Sequence, residues 1–243
     1  MPPGPGHASP HPRGSARAAD GAEPRRRGRR HRATAQSALT DWSRVARFYD
    51  RQLFLERPAL RAMLELVAIS PSDRLLDVGT GTGGALRQLP GCPARPARAL
   101  GVDSSEQMLA RARAALPRAI ELATADARDL PFADEGFEVV TCAYLLHLLD
   151  PRSRASALGE LYRVLAPGGR LGVVTVAPPA TRLSRLASRP LRAIAARSTG
   201  VLAGLTPLDP SDQISLAGFT LEASRRVGGV GYPSLCLLAN KRR

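Results

Sequence analysis

The feature that most constrains this chain is the stretch from Leu75 to Gly84, which reads LLDVGTGTGG. An apolar run ends in the acid Asp77, and glycines then follow at alternate positions. Glycine adopts backbone dihedrals that other residues avoid, and it lets the backbone approach a ligand where a Cβ would collide. A buried strand that leads through a glycine loop into a helix is the arrangement of a nucleotide-binding site. The stretch therefore predicts such a site at the end of the first strand.

The spacing of the glycines fits two ligand classes. Gly79, Gly81 and Gly84 match the G-x-G-x-x-G pattern of dinucleotide-binding proteins. Gly79, Gly81 and Gly83 match the G-x-G-x-G pattern of methyltransferases. The loop alone does not distinguish these classes, so the choice depends on residues elsewhere in the chain.

The chain is strongly basic, and the charge is uneven. Its 243 residues carry a net charge of +14, and Lys241 is the single lysine among 35 basic residues. Residues 1–36 hold eight arginines and almost no large apolar side chain. Such a segment cannot bury enough surface to offset its ordering entropy, so we predict a disordered basic tail before a domain at residues 37–243. Runs of charge are usually only solvated, and we expect no dedicated nucleic-acid partner.

The cysteines and the hydropathy pattern argue against a metal centre and a membrane span. Cys92, Cys142 and Cys236 lie far apart and form no C-x-x-C pair. This spacing indicates neither a metal site nor a disulfide framework. No apolar run approaches the ~20 residues that a membrane-spanning helix needs. We therefore predict a soluble cytoplasmic protein without a metal; the oligomeric state stays open.

The order of the predicted elements indicates a doubly wound sheet. Two helices are predicted from Asp41 onward, with Pro58 in the first turn of the second, and Ser104 is the predicted N-cap of a later helix. Apolar strands alternate with helices over residues 74–176, and two strands joined at Gly228–Gly229 must be antiparallel. The pattern predicts a Rossmann-like α/β fold: a seven-stranded sheet, mostly parallel with an antiparallel last strand and helices on both faces. The predicted strands cover residues 74–78, 99–103, 120–125, 137–143, 171–176, 220–227 and 234–239.

Acids end three of the predicted strands, and their positions separate the two ligand classes. Asp103 follows Gly79 by 24 residues, where a carboxylate accepts the hydroxyls of a ribose. Asp77 stands where a dinucleotide would place its pyrophosphate, so it would repel that ligand but suit an ammonium group. Asp126 and Ala127 follow the third strand and suit the edge of an adenine. An adenosine at one end and an ammonium at the other describe S-adenosylmethionine.

Four motifs in order carry a family resemblance: LLDVGTGTGG, GVDSSEQMLARAR, ADARDLPFADEGFEVV and ELYRVLAPGGRLGVV. They resemble the class I S-adenosylmethionine-dependent methyltransferases, and most of all the ubiquinone and menaquinone C-methyltransferases. The resemblance covers residues 41–176 well and 212–240 in outline. It implies S-adenosylmethionine as cofactor and a small-molecule acceptor, while methylation at carbon, oxygen or nitrogen stays open.

The same resemblance implies a set of cofactor contacts. Tyr49 would cover the cofactor carboxylate, Ser104 and Met108 would flank the adenine, and Cys142 would lie close to the methionine portion. The implied cofactor-binding residues are Tyr49, Asp77, Gly79, Thr80, Gly81, Gly83, Asp103, Ser104, Met108, Asp126, Ala127 and Cys142.

For the reaction we expect in-line transfer of the sulfonium methyl, with orientation in a shielded pocket supplying much of the rate. A base is needed when the acceptor arrives protonated, and His147 is the first candidate, with Tyr144 the second. The segment Thr141 to Tyr144 reads TCAY where the exocyclic-amine branch has N-P-P-Y, which disfavours methylation of DNA or of protein amides. The alternatives are an RNA-modifying methyltransferase that uses the basic tail, an NAD(P)-dependent oxidoreductase, and a cofactor-binding scaffold without catalysis.

Residues 177–211 break the strand–helix alternation. Arginines such as Arg182, Arg185 and Arg189 recur there between leucines. We expect a lid-like insertion at the edge of the crevice that selects an acceptor with an apolar body and an anionic or phenolate group. The alternative is a solvated helix face in an arginine-rich protein.

Overall fold

A computed structural model describes residues 42–178, 206–228 and 233–242, with side chains from residue 54 onward. Three predictions fall outside these residues: the disordered tail at 1–36, the position of the Tyr49 side chain, and residues 179–205 of the insertion. No helix in the described ranges is long and apolar enough to cross a membrane.

The described residues form one seven-stranded sheet with the strand order β3-β2-β1-β4-β5-β7-β6. Neighbours from β3 to β5 are parallel, whereas β7 runs antiparallel to both β5 and β6. The predicted fold class is confirmed. The strands are β1 Arg74–Val78, β2 Arg98–Asp103, β3 Glu121–Thr124, β4 Phe137–Ala143, β5 Leu165–Val176, β6 Phe219–Val227 and β7 Ser234–Lys241.

Helices cover both faces of the sheet, as the strand composition requires. Successive side chains of a strand point to opposite faces, so a strand covered on both faces must be apolar throughout. In β4, Val139 belongs to one apolar cluster and Val140 to the other, and both are fully buried. The helices are α1 Trp42–Val67, α2 Glu106–Ala115, α3 Pro151–Val164 and α4 Ser211–Leu216, with short 3₁₀ turns at Leu86–Gly91 and Leu146–Leu148. Residues of α1 and α2 join the first cluster, and residues of α3 and α4 join the second.

The two helices predicted before the first strand are one continuous helix. Pro58 lies inside α1 and not in a first turn, so that prediction was wrong. A proline within a helix costs about 3 kcal/mol relative to alanine. Leu60, Met63 and Val67 continue the buried stripe of α1 on the sheet, and each large apolar side chain contributes about 1.5–3 kcal/mol when buried. Tertiary packing therefore outweighs the local cost of the proline.

The starts of α2 and of the fifth strand also differ from the prediction. The N-cap of α2 is Ser105 and not Ser104, because the Ser105 hydroxyl accepts the Met108 N–H at 3.4 Å. The fifth strand begins before residue 171: Leu165 already pairs with Phe137, and regular pairing resumes at Arg170. The irregular segment of β5 between them contains Gly168 at a φ of +75°. Pairing with a neighbouring strand, which local composition does not reveal, sets this start.

Candidate active site

The carboxyl ends of the parallel strands bring the predicted site residues to one edge of the sheet. The glycine loop follows β1, Asp103 ends β2, and the segment from Tyr144 to His147 follows β4. Because β7 is antiparallel, its first residue Ser234 pairs with Val176 at the end of β5 and lies at this edge too. Ligands of open α/β sheets bind at this edge.

The glycine loop requires its glycines for backbone and space alike. Gly79, Gly81 and Gly83 all have left-handed backbones, with φ of +71°, +56° and +82°. A Cβ at Gly79 would come within 2.9 Å of the Leu145 side chain, and one at Gly83 within 2.7 Å of Leu116. The loop is therefore packed closely against the segment after β4 and against the end of α2.

Asp103 holds the glycine loop in place. One carboxylate oxygen accepts the Gly81 N–H at 2.8 Å, and the other accepts the Ser105 N–H at 2.9 Å. Burial raises the pKa of Asp103, and the backbone N–H donors partly offset this effect. A carboxylate offers about four acceptor positions, so Asp103 retains capacity for further donors such as ribose hydroxyls.

Asp77 is a buried acid without a salt bridge in the described part of the chain. It is 2% exposed, and one carboxylate oxygen accepts the Thr141 hydroxyl at 2.7 Å. Burial raises its pKa to about 6, although the hydroxyls of Thr80 and Thr141 lower it in part. A carboxylate in this environment is stabilised by any cation that reaches it.

Thr82 is a further candidate site residue, and sequence reasoning missed it. Its side chain is fully buried inside the glycine loop, and no described residue gives its hydroxyl a hydrogen-bond partner. Buried polar groups are almost always hydrogen-bonded, so an unpartnered one at a ligand edge suggests a contact to the ligand. The alternation of threonine with glycine in GTGTG was the signal that could have identified it.

The remaining predicted cofactor residues differ in how far they are buried. Met108 is buried on α2, and Ser104 is exposed before it. Asp126 is engaged in an exposed ion pair with Arg128 at 2.6 Å, which lowers the pKa of its carboxyl. Cys142 is 1% exposed inside β4, and burial raises the pKa of its thiol, so it is an unreactive core residue. Ala127 is partly buried against the second apolar cluster, which includes residues of α3 and α4.

The two candidate catalytic residues lie in the tight segment that leaves β4. The Tyr144 hydroxyl forms a buried hydrogen bond of 2.7 Å with the Ser234 hydroxyl. His147 is in a 3₁₀ turn and is 7% exposed. The two rings meet edge to face, with centroids 6.2 Å apart and planes at 85°.

A buried arginine, also missed from the sequence, holds this turn. Arg154 on α3 donates from Nε to the Leu146 carbonyl at 2.7 Å and from Nη2 to the Leu149 carbonyl at 2.8 Å. Its Nη1 donates to Gln213 Oε1 on α4 at 3.1 Å. Burial lowers its pKa, but a guanidinium stays charged at any physiological pH. Arg154 precedes Leu158 by four residues on the apolar stripe of α3, and that position was the signal for a buried arginine.

Comparison with known proteins agrees with this geometry. Residues 75–169, from the first strand into β5, match a family model described as a methyltransferase domain. Residues 75–169 are therefore similar to methyltransferase domains. The prediction of that family from the four motifs is confirmed.

Two curated methyltransferases are among the proteins that this chain resembles. A ubiquinone/menaquinone biosynthesis C-methyltransferase of Desulfotalea psychrophila is 40% identical over 111 residues, which cover 45% of this chain and 44% of that protein. A demethylmenaquinone methyltransferase of Thermus thermophilus is 42% identical over 126 residues, which cover 49% of this chain and 54% of that protein. The chain thus matches about half the length of each relative.

A solved structure has the same fold as this chain. The S-adenosylmethionine-dependent methyltransferase from Methanosarcina mazei has a TM-score of 0.57 and 19% identity, covering 72% of this chain and 95% of that one. At this identity the similarity establishes the architecture, and function has to be argued from the site.

Proposed function

We propose that the protein is an S-adenosylmethionine-dependent methyltransferase that acts on a small molecule. The observation that carries the proposal is Asp77: a buried carboxylate without a salt bridge in the described residues, directly before the glycine loop. A pyrophosphate beside this carboxylate would be repelled, whereas an amino group would supply the missing cation. The alternative dinucleotide ligand is disfavoured for this reason.

The residues present fit S-adenosylmethionine along the whole edge. Asp77, the glycine loop and the Thr82 hydroxyl would hold the amino-acid portion, Asp103 would hold the ribose, and the segment around Ala127 would contact the adenine. The bound cofactor supplies an electrophilic methyl group on a sulfonium. The unpartnered Thr82 hydroxyl supports this fit most directly, because a hydrogen bond from the ligand to a buried unpaired hydroxyl would stabilise the complex.

For the acceptor we propose an electron-rich aromatic ring of the hydroquinone type. The named relatives act on demethylmenaquinone or belong to ubiquinone and menaquinone biosynthesis. A quinone ring is electron-poor, so carbon attack on the methyl group requires the reduced hydroquinone. We assign His147 to accept the hydroxyl proton as the ring carbon bonds to the methyl group and the methyl–sulfur bond breaks, which would leave a neutral thioether. The ring hydrogen then leaves as a proton and the oxygen regains one, so that a methylated hydroquinone results.

The insertion after β5 supports an acceptor at this edge. On its N-terminal side the Ala177 N–H donates to the Pro233 carbonyl at 2.8 Å. On its C-terminal side the Leu208 N–H donates to the Val176 carbonyl at 3.0 Å, and the Thr175 hydroxyl donates to the Leu208 carbonyl at 2.8 Å. Both ends of the insertion are therefore anchored beside the site, and we propose that the insertion selects the acceptor.

Binding and transfer experiments test the proposal separately. Isothermal titration should show binding of S-adenosylhomocysteine and none of NAD. Transfer of labelled methyl from the cofactor should then be measured to reduced demethylmenaquinone, to simple phenols and to total RNA. Tight binding of NAD would overturn the cofactor assignment, and labelling of RNA alone would overturn the acceptor class.

Asp103→Ala should weaken S-adenosylhomocysteine binding by about 1.5–3 kcal/mol, or roughly 10- to 150-fold in Kd, because hydrogen bonds to a charged group are lost. The carboxylate also accepts the Gly81 N–H, so the loop loses a support at the same time. Titration calorimetry measures the change. The matched control is Asp134→Ala, which removes an exposed acid just before β4, at the opposite edge of the sheet, and should leave Kd unchanged.

A further inference from the structure

Tyr144 has a backbone conformation that its side chain does not favour. Its φ is +56°, and in the described part of the chain only two other non-glycine residues have a positive φ. Those two, Ala68 and Glu135, belong to turns between elements. Left-handed backbone is strained for a bulky aromatic residue and persists where its surroundings hold it, often at functional sites. The contacts of the Tyr144 side chain therefore indicate what holds this residue in its strained conformation.

The tyrosine hydroxyl is held by a strand that is distant in sequence. Ser234 lies 90 residues after Tyr144, is 1% exposed, and begins β7. Its own position is fixed, because it pairs with Val176 and because the preceding Pro233 carbonyl accepts the Ala177 N–H. The hydrogen bond thus ties the end of the Tyr144 ring to a rigid strand. This hydrogen bond fixes the position of the Tyr144 ring, and the ring in turn contacts a neighbouring side chain.

That neighbour is the His147 imidazole. The ring planes meet at 85°, the edge-to-face arrangement that aromatic pairs prefer. The backbone of the His147 turn is held separately, by the Arg154 guanidinium on the carbonyls of Leu146 and Leu149. Backbone position and ring orientation therefore depend on different side chains. Loss of the Ser234 hydroxyl should therefore shift the Tyr144 ring, and with it the imidazole, without displacing the turn.

We propose that Ser234 and Tyr144 are positioning residues that set the orientation of the His147 imidazole toward the acceptor. This inference rests on the proposed methyl transfer with His147 as the base. Small misplacements of a catalytic group cost one or two orders of magnitude in rate, so a hydroxyl that never touches the acceptor can still control turnover.

Kinetics of the full chain test the proposal with labelled cofactor and reduced demethylmenaquinone as acceptor. Ser234→Ala and Tyr144→Phe should each lower kcat by roughly 10-fold while the KM for the cofactor stays constant. The double variant should lose no more than either single one, because both remove the same bond. Ser234→Thr keeps the hydroxyl and should restore most of kcat. Additive losses, or no rescue by threonine, would contradict a shared positioning role.

A spectroscopic readout separates this proposal from the proposed function. The chain has four histidines, and three of them lie in residues 1–36, so selective histidine labelling gives a simple NMR spectrum of the full chain. The resonance that disappears in His147→Gln belongs to His147. Ser234→Ala and Tyr144→Phe should both move it in the same direction, and the control Ser156→Ala, at an exposed serine of α3, should not. An unmoved resonance in Ser234→Ala overturns the positioning role whatever the acceptor is. A moved resonance without any turnover by the wild type would count against the proposed function alone.

Discussion

Asp77→Asn should make the protein more stable and its cofactor site weaker. The folded-state pKa of Asp77 is about 6, against an ordinary value of 3.8, because burial disfavours the ionised form. A difference of about 2 pH units corresponds to about 3 kcal/mol, which the ionised carboxylate costs the folded state at neutral pH. Asparagine keeps the size and still accepts the Thr141 hydroxyl, so the variant removes this cost. It also removes the charge that we assign to the amino group of the cofactor.

The sign of the effect fixes its pH dependence. A carboxyl group with a raised folded-state pKa stabilises the fold fully below its unfolded pKa of about 4, and that contribution is lost as the pH rises through about 6. The stability gain of Asp77→Asn should therefore be largest above pH 6 and should vanish near pH 4. Urea denaturation at a series of pH values measures the gain, and titration with S-adenosylhomocysteine measures the lost affinity.

Asp73→Asn is the matched control for this prediction. Asp73 is also buried, at 4% exposure, but it accepts the Ser70 N–H at 2.6 Å and pairs with Arg170 at 2.5 Å. The same chemical change should therefore destabilise the protein at neutral pH and leave cofactor affinity unaltered. If Asp77→Asn proved as destabilising as Asp73→Asn, the Asp77 carboxylate would have a charged partner in the folded state, and its assignment to the cofactor would fail.

Arg154→Met should lower the free energy of unfolding by about 3 kcal/mol. Hydrogen bonds from a charged donor are worth about 1.5–3 kcal/mol each, and the change removes those to Leu146, Leu149 and Gln213. Methionine returns part of the lost stability through its apolar volume, because a buried charge is costly in itself. Chemical denaturation measures the change. The control is Arg152→Met, at an exposed position one half-turn earlier on α3, and it should alter stability by less than about 0.5 kcal/mol.

The Arg154 variant should also slow methyl transfer more than it weakens cofactor binding. The arginine holds the His147 turn, whereas in the described residues its guanidinium bonds to Leu146, Leu149 and Gln213 and not to the glycine loop or Asp103. Single-turnover rates and S-adenosylhomocysteine affinity, measured on the same preparation, separate the two effects. Equal losses in both would indicate a general loosening of the domain.

The features predicted well from sequence are those written in local patterns. Continuous apolar runs identify buried parallel strands, and the positions of Asp77 and Asp103 at strand ends predict that they meet at one edge of the sheet. The errors have the opposite origin. Pro58 lies within a helix because packing on the sheet outweighs its local cost, and the early start of β5 at Leu165 follows from pairing with Phe137. These outcomes depend on partners far along the chain, which local composition does not encode.

The same limit explains which site residues were missed. Arg154 is one of 34 arginines, and the amino-acid composition of the chain does not distinguish a buried guanidinium from a surface one. Ser234 becomes part of the site only because β7 starts at the edge where β4 ends, 90 residues away in sequence. Thr82 was missed because the loop was interpreted from its glycines. Its buried hydroxyl is recognised only when every neighbour is known.

The placement of β7 between β5 and β6 has a consequence for synthesis of the protein. β7 occupies an interior position of the sheet although it follows the other described strands in sequence, and Lys241 at its end donates to the Leu165 carbonyl at 2.8 Å. Until residues 234–241 have left the ribosome, β5 has an unpaired edge of the kind that promotes aggregation. Ser234 arrives with the same strand. A nascent chain can therefore assemble its glycine loop before residues 234–241 emerge, but the side of the site that we assign to the acceptor forms only after β7 has been synthesised.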